Sequence, residues 1–270
     1  MRKYILGIVG MFVIMVALTA ISWTPVSKNT ELLVSTTSTP EPVTSPDTLY
    51  NMYVNRLYDS VGLAGSGLTV QVFEKAVTGF YNLKSAGKIA SDKSILTIAD
   101  FDQSSTKKRL WIIDLEKKNL ILNTWVAHGM GSGDDKATRF SNTNESHQSS
   151  MGFYVTGEIY HGKHGRSLRL DGMDEGFNSN ARSRAIVVHG ANYVSQGTIN
   201  ALGRLGRSHG CPAVAPELTD EVINTIEGKT VMFINVNDSR YTSKYLNHHM
   251  AALLTNSNVQ QAKLDTTLSI

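Results

Sequence analysis

Cysteine is almost missing from this chain of 270 residues, since Cys211 is the only one. A lone cysteine excludes an intramolecular disulfide. In an oxidising compartment it is therefore an intermolecular partner, an inert buried side chain or a free reactive thiol. The count alone favours burial, because unpaired cysteine is among the most buried residue types. The stretch GRLGRSHGCPAV at residues 203–214 sets glycines and a histidine beside the thiol, which keeps the reactive alternative open.

Charge is sparse as well. Charged residues make up 18% of the chain, the net charge is +3, and no dense Lys/Arg run occurs in its body. This balance is too small to indicate nucleic acid as a partner. No repeat of solenoid length is apparent. With 41% hydrophobic residues, the length predicts a globular protein of one domain with extensions, or of two domains.

Several familiar site motifs are incomplete. The glycine-rich stretch GMGSG at residues 129–133 lacks the spacing and the Lys-Ser/Thr end of a phosphate-binding loop. It also misses the G-x-S-x-G register of a serine hydrolase, so Ser132 is a poor nucleophile. His161 and His164 form an H-x-x-H pair, but a zinc site needs a third and usually a fourth ligand. We therefore expect neither a metal nor another cofactor.

The chain begins with a predicted targeting segment. Arg2 and Lys3 precede an uncharged apolar run, and small residues near the end of that run offer cleavage points. We predict a secretory signal peptide at residues 1–24. An uncleaved membrane anchor is the close alternative, because the run is about as long as a thin membrane span. In both cases the body is exported to the periplasm or cell envelope, and any membrane contact is through this segment.

Residues 25–46 are rich in Ser, Thr and Pro without a periodic apolar face, which is typical of a linker. Residues 47–94 are predicted to be helical and to pack on the body that follows. Within them, apolar residues recur at helical spacing and Gly87 closes the pattern. These apolar residues are Val72, Phe73, Ala76, Val77, Phe80 and Tyr81.

From about residue 95 the pattern changes to short strands rich in β-branched and aromatic residues and bounded by turn residues. One late helix is expected between Pro216 and Gly228. Many strands with few helices predict a mainly β domain, a sandwich or barrel-like fold, over residues 95–237. Residues 238–270 form a polar, weakly patterned C-terminal tail.

Two stretches together meet the requirements of a cysteine nucleophile. AIVVHGANYV places His189 at the end of an apolar strand, followed by Gly190, and SHGC places His209 and Gly210 directly before Cys211. The reactive species is the thiolate, and a nearby imidazole takes the proton and stabilises the anion. Glycine before the cysteine allows close backbone approach and leaves N–H groups free to face a developing oxyanion.

The SHGC stretch, preceded by a strand that ends in His189 and Gly190, resembles the signature of the L,D-transpeptidase (YkuD-type) catalytic domain. The stretches GSGDDKATRFSN, SSMGFYVTGEIYHGKHGRSLRLDGMDEGFN and RAIVVHGANYV look like the murein L,D-transpeptidase branch in which proline follows the cysteine. The resemblance covers roughly residues 68–236. It implies a mainly β, YkuD-like catalytic domain with a few helices.

The resemblance also implies the chemistry. In that family, the cysteine attacks the peptide bond between an L- and a D-centre of a peptidoglycan stem peptide, typically after diaminopimelate at position three. Terminal D-alanine is released, and the acyl group passes to an amine or to water. Carried over, Cys211 is the nucleophile and His189 the base, oriented by the backbone near Gly190. His209 lies in the catalytic turn, and the Gly210 and Cys211 N–H groups support the oxyanion.

The chain departs from the family pattern at two points. Commoner members carry arginine or asparagine two positions after the cysteine, where this chain has Ala213. A contact to a substrate carboxylate is therefore sought at Arg204 and Arg207, with Ser208 beside them, since a guanidinium fork suits a carboxylate. The gap between the two stretches is also longer, which implies a longer loop over the site. Most of the other nearby basic residues are expected on a solvated, mixed-charge surface. These are Lys163, Arg166, Arg169, Arg182 and Arg184.

Three functions follow, in order of preference. The first is an exported cysteine L,D-transpeptidase that forms or remodels peptidoglycan cross-links. The second is an L,D-carboxypeptidase or cross-link-cleaving hydrolase that uses the same Cys211. Whether an amine or water is the second acceptor depends on how well the substrate groove excludes water, and the sequence does not decide this. The third is a non-catalytic wall-binding protein with an incidental thiol. The sequence gives no indication of oligomeric state.

Overall fold

The computed structural model describes residues 45–255 of the chain. The predicted signal peptide or anchor, nearly all of the predicted linker and the end of the predicted tail lie outside the described residues. Within the described part, no helix is both long enough and apolar enough to cross a membrane.

Two helices precede the strands. Helix α1 (Pro46–Val61) begins where the Ser45 side chain accepts a backbone N–H of the first turn, and it ends at Gly62, whose φ is 76°. A serine cap, proline in the first turn and a left-handed glycine after the last turn are the usual helix-boundary signals. Helix α2 (Val70–Ser85) begins in the same way, with Thr69 as its cap.

Helices α1 and α2 bury their apolar sides against one face of the sheet. The helical residues of this cluster meet large side chains from four strands, so the stripe at helical spacing contributes to a common core. Its largest fully buried members are Tyr50, Phe73, Phe80, Trp111, Phe153 and Phe233. Burying each aromatic or aliphatic side chain contributes about 1.5–3 kcal/mol of transfer free energy.

Eight strands form one sheet in the order β3-β2-β1-β8-β4-β5-β6-β7. They are β1 (Ile95–Asp100), β2 (Leu110–Asp114), β3 (Asn119–Thr124), β4 (Gly152–Gly162), β5 (Gly165–Gly172), β6 (Val187–Gly190), β7 (Ala213–Val214) and β8 (Val231–Asn235). β1 pairs with β8, and β6 with β7, in parallel, and the other neighbours are antiparallel.

The two edges of this sheet come close to closing on each other. Beyond β3 the chain continues to Ala127, which exchanges backbone hydrogen bonds of 2.8 and 3.3 Å with Ala213 in β7. A sheet that pairs its edges in this way leaves few strand edges open. The mainly β, barrel-like fold with few helices that the sequence predicts is confirmed.

A second cluster of buried apolar residues fills the other side of the strands and includes Tyr154, Leu168, Val188 and Val214. Helix α4 (Thr219–Ile226) packs on it through its buried residues. A single 3₁₀ turn precedes α4, so the helix predicted from the proline and glycine positions is present. This cluster supports the strands that carry the site.

The parallel pair β6 and β7 brings together the two stretches singled out in the sequence. His189 lies opposite Ala213, and Gly190 lies opposite Val214. Between the strands, the chain makes the short helix α3 (Gln196–Leu202) before it returns to the sheet. The long gap in the sequence is therefore a helical excursion that leaves β6 and comes back beside it.

The predicted polar tail contacts the first helices over its described part. The side chain of Asn82 in α2 donates to the carbonyls of Tyr245 and Asn247, at 2.8 and 2.9 Å. Residues 248–255 form a helical turn or two, and Ala251 and Ala252 are buried in the helix cluster. The weak apolar pattern of this segment gives no sign of these contacts.

Candidate active site

The turn before the cysteine is held by Ser208. Its hydroxyl donates to the carbonyl of Cys211 at 2.6 Å and accepts the N–H of Gly210 at 3.0 Å. Gly210 has a φ of 125°, and a Cβ there would lie 2.8 Å from the carbonyl oxygen of Gln148. Only glycine fits such a backbone at such close approach. The structure thus uses Ser208 to close the turn, and its predicted contact with substrate stays a prediction.

The neighbouring loop fixes the same turn from outside. The buried hydroxyl of Ser149 donates to Gly210 O and accepts Gly129 N–H, both at 3.0 Å. A Cβ on Gly129 would lie 2.8 Å from the Cα of Gly210, so the two backbones touch. Met130 N–H also donates to Ser208 O at 2.8 Å. The glycine-rich stretch is therefore a packed wall of the turn.

The Cys211 thiol lies against the start of β6. Its Sγ is 3.7 Å from the carbonyl oxygen of Ala185, and the side chain is only partly exposed. Burial raises the pKa of the Cys211 thiol above its usual value, while a backbone hydrogen bond from Val187 and the charge of Arg184 act in the opposite direction. Because burial has the largest effect, the thiol keeps its proton until a base removes it.

His189 is buried and is oriented by its own neighbour. Its Nδ1 is 2.9 Å from Gly190 O. A carbonyl oxygen only accepts, so Nδ1 carries the hydrogen and the lone pair of the neutral ring is on Nε2. Burial lowers the pKa of His189, the Gly190 carbonyl opposes that shift, and His164 adds to it. The ring is accordingly a neutral proton acceptor near pH 7.

The structure brings His189 and Cys211 to the same end of the β6–β7 pair. His189 lies opposite Ala213, two residues after the cysteine. The hydrogen bond of the thiol is nevertheless to Ala185 and not to a histidine. Donation of the thiol hydrogen to His189 would replace this contact with Ala185. Catalytic hydrogen bonds are often loose in free enzymes and tighten with substrate bound.

His209 lies on the outside of the turn. Its ring is exposed and stacks on His147 at a centroid distance of 4.3 Å with 5° between the planes. The contact that the structure gives this histidine is therefore with the loop before β4. A direct role in the chemistry stays a prediction.

The predicted oxyanion donors are in different situations. Gly210 N–H already donates to Ser208 Oγ. The other predicted donor is the backbone N–H of Cys211, the next residue of the same turn. Gly190 is a glycine for packing, since a Cβ there would lie 2.2 Å from Thr219 Oγ1. The oxyanion roles of these groups stay predictions.

The two arginines proposed for substrate are directed to the protein itself. Arg204 donates to Leu205 O at 2.7 Å. Arg207 donates to Gly133 O at 2.9 Å and to an Asp134 carboxylate oxygen at 2.7 Å. A substrate carboxylate would have to compete with these bonds, so this role also stays a prediction.

Sequence reasoning missed two residues that lie beside the thiol. Arg182 does lie on the mixed-charge surface, bound to Glu158 and Asp171, but Arg184 is half-buried and close enough to Cys211 for their charges to interact. Tyr193 is the other: burial, together with the charge of Cys211, raises its pKa to about 12. The one signal for Arg184 is its position just before strand β6.

A cavity of about 600 Å³ opens beside His189. It is lined by residues of the β4–β5 turn, the segment after β6 and the start of α4, namely Lys163, His164, Arg166, Gly190, Ala191, Asn192, Tyr193, Pro216, Thr219 and Asp220. This groove is open to solvent and large enough for a short peptide. Residues 45–255 contain no group of three His, Cys, Asp or Glu side chains positioned to hold a metal ion.

Residues 64–235 match the family model described as L,D-transpeptidase catalytic domain, YkuD_2. No curated protein matches the chain. Several solved structures are similar at low identity.

A mutant of the helical cell shape determining protein Pgp2 from Campylobacter jejuni is 14% identical, with a TM-score of 0.40, over 72% of this chain and 67% of that one. The L,D-transpeptidase from Mycobacterium smegmatis is 12% identical, with a TM-score of 0.33, over 53% and 59%. The L,D-transpeptidase from Stackebrandtia nassauensis is 13% identical, with a TM-score of 0.34, over 72% and 81%. The family-model match spans more than half of the chain. The chain therefore belongs to the L,D-transpeptidase catalytic domain family.

Proposed function

We propose that this protein is an exported cysteine L,D-transpeptidase that acts on peptidoglycan stem peptides. The observation that carries the proposal is the β6–β7 pairing, which sets the His189 strand beside the Cys211 turn. His189 has its free lone pair on Nε2, because Nδ1 donates to Gly190 O. A neutral base and the only thiol of the chain lie at one end of the β6–β7 pair, next to an open groove that Gly190 lines, and this arrangement fits acyl transfer through a thioester.

In the first half-reaction, the thiol turns from Ala185 and gives its proton to Nε2 of His189. Sγ bonds to the scissile carbonyl carbon, and the carbonyl electron pair moves onto oxygen, where Cys211 N–H is the nearest predicted donor. The intermediate then collapses and the C–N bond breaks. The leaving D-alanine amine takes the proton from His189, and a thioester on Cys211 remains.

In the second half-reaction, an acceptor amine attacks the thioester and passes a proton to His189. The new C–N bond forms, the C–S bond breaks, and the thiolate takes back the proton. Water in place of the amine would give an L,D-carboxypeptidase or a cross-link hydrolase with the same residues. The two outcomes differ only in the second nucleophile, and the groove beside His189 is open to solvent.

The test uses the purified full chain, wild type and Cys211→Ala, incubated with muropeptides and an amine acceptor and analysed by mass spectrometry. Cross-linked product that is lost in the variant supports the transpeptidase. Shortened stems without cross-links support the hydrolase. No turnover by either protein contradicts both enzyme functions and leaves a wall-binding role.

A second measurement isolates the acyl-enzyme step. The family resemblance predicts that a carbapenem acylates Cys211, so intact-mass analysis is expected to show one adduct on the wild type and none on Cys211→Ala. Ser183, which is exposed and bonds only within its own turn, provides a matched control as Ser183→Ala. A free thiol that forms no adduct would contradict the proposed mechanism.

A further inference from the structure

Before proton transfer, His189 provides no positive charge for the Cys211 thiolate. Burial lowers the pKa of His189, so this ring is neutral near pH 7 and gains a charge only when it takes the proton of the thiol. His209 is stacked on His147 at the surface. A partly buried thiolate without a nearby cation is costly, so a permanent positive charge beside the thiol favours its formation.

Arg184 lies close to the Cys211 thiol. It directly precedes Ala185, whose carbonyl oxygen is 3.7 Å from Sγ of Cys211. Ala185 has a left-handed φ of 53°, which turns the backbone tightly at this point. The guanidinium lies beside the cysteine turn, with Nη2 3.4 Å from where a Cβ on Gly210 would be.

The hydrogen bonds of Arg184 leave its charge uncompensated. Nη1 donates to Ser141 O at 2.6 Å and also to the Ser150 hydroxyl. Nη2 donates to Gln148 O at 2.6 Å and to the Ser146 hydroxyl at 3.2 Å. All four acceptors are neutral.

The remaining nitrogen of Arg184, Nε, is buried and has no partner. Within residues 45–255, no carboxylate forms an ion pair with this arginine, whereas Arg182, two positions earlier, binds both Glu158 and Asp171. A half-buried guanidinium without a counter-ion is expensive. An anion that appears next to it is strongly favoured.

We propose that Arg184 is a positioning residue whose unpaired positive charge stabilises the Cys211 thiolate and holds the loop of residues 141–150 against the catalytic turn. The inference rests on the proposed role of Cys211 as nucleophile. The cation approaches the thiol from the start of β6, where Ala185 contacts Sγ.

Other titratable groups surround the thiol and have to be separated from Arg184. They are His189 on β6, His164 at the β4–β5 turn, Tyr193 after β6, and the stacked pair His209 and His147. The guanidinium of Arg184 stays protonated over the pH range in which a thiol titrates. A change confined to position 184 therefore isolates the guanidinium.

The test measures ionisation of the thiol itself. Because Cys211 is the only cysteine, thiolate absorbance near 240 nm and the pH dependence of iodoacetamide alkylation report on this group alone. The full chain is compared with Arg184→Gln, which keeps two donors without charge, and Arg184→Lys, which keeps charge with fewer bonds. Arg182→Gln is the matched control on the mixed-charge surface. Thermal melting of each protein reports on folding.

We expect Arg184→Gln to raise the thiol pKa by about one unit or more, which slows alkylation at pH 7 about tenfold. Arg184→Lys and Arg182→Gln are expected to stay close to wild type. An unchanged pKa in folded Arg184→Gln overturns the inference. So does an equal shift in the Gln and Lys variants, because that pattern indicates a structural role. If Arg184→Gln does not fold, the folded Arg184→Lys variant decides: a wild-type pKa supports the inference and a raised one overturns it.

These outcomes are independent of turnover. A thiol pKa that depends on Arg184 in a protein without transpeptidase activity would contradict the proposed function and leave the ion pair intact. Transpeptidase activity together with a thiol pKa that is the same with and without Arg184 would support the proposed function and contradict the role of Arg184.

Discussion

The ring of His164 stacks on the ring of His189, with centroids 4.2 Å apart and 22° between the planes. His164 lies at the turn between β4 and β5, whereas His189 is the last residue but one of β6. The hairpin tip thus covers the proposed base from the side of the groove. A protonated His164 disfavours protonation of its neighbour, which is why it contributes to the lowered pKa of His189.

Replacement of His164 by phenylalanine keeps an aromatic ring in the stack and removes its charge. The pKa of His189 is then expected to rise, because a like charge that opposed its protonation is gone. More of the base is then protonated at acidic pH, so the acid limb of the kcat/KM profile moves to higher pH while the rate at pH 8 changes little. His161→Phe, an exposed histidine on the same hairpin, is the control. A profile that moves equally in both variants would argue against the stack.

A second buried histidine, His128, is expected to make the fold less stable in acid. His128 is buried and its Nδ1 accepts from Arg109 Nη2 at 2.7 Å. Burial, with the charge of Arg109 next, lowers the pKa of His128 to about 4. In the unfolded chain the His128 imidazole takes up a proton near pH 6.5, whereas in the folded protein it does so only near pH 4. The contribution of neutral His128 to the free energy of unfolding is therefore complete above pH 6.5 and is lost as the pH falls towards 4.

His128→Asn keeps an acceptor for Arg109 and removes the titration. Between pH 7.5 and 4.5, urea unfolding of the wild type is expected to lose about 2–3 kcal/mol more than that of the variant. The diagnostic is the pH dependence of the free energy of unfolding, because a loss of packing alone would lower the curve of the variant by the same amount at every pH. Parallel curves would therefore rule out His128 as the acid-sensitive group.

Much of this architecture was accessible from the sequence. Runs of β-branched residues bounded by turns predict the strands, and the histidine at the end of such a run predicts where His189 lies. The family resemblance adds the mechanism. Both depend on local pattern, which backbone geometry translates directly into structure.

Contacts between distant segments were not accessible in this way. In the sequence, Arg184 cannot be told apart from its neighbour Arg182. In the structure, Arg184 binds neutral groups of the 141–150 loop, whereas Arg182 forms a surface ion pair. The stack of His164 on His189 depends on where one hairpin tip falls over another strand. Single-sequence periodicity carries no information about such pairings, because tertiary packing decides them.

Ser208 allows the turn and substrate roles to be separated. Ser208→Ala removes its bonds to Cys211 O and Gly210 N–H, so the oxyanion side of the turn loosens. We expect kcat to fall tenfold or more with KM little changed, and stability to fall by about 1–3 kcal/mol. Ser183→Ala is the control. A raised KM with unchanged kcat would instead indicate the substrate contact predicted from the sequence.

Gly190 provides a test of how the base is held. A Cβ at this position would lie 2.2 Å from Thr219 Oγ1 and 3.3 Å from Thr219 Cβ, while the Gly190 carbonyl orients His189. Gly190→Ala is expected to cost about 1–3 kcal/mol, as other overpacking changes do, and to reduce kcat by shifting that carbonyl. Thr219→Ala removes the clashing oxygen, so the double variant should recover part of both losses. In a double-mutant cycle measured by urea unfolding, a coupling of at least about 1 kcal/mol is expected, because the two side chains compete for one space. Additive losses of unfolding free energy would show that the destabilisation of Gly190→Ala does not come from a clash with Thr219.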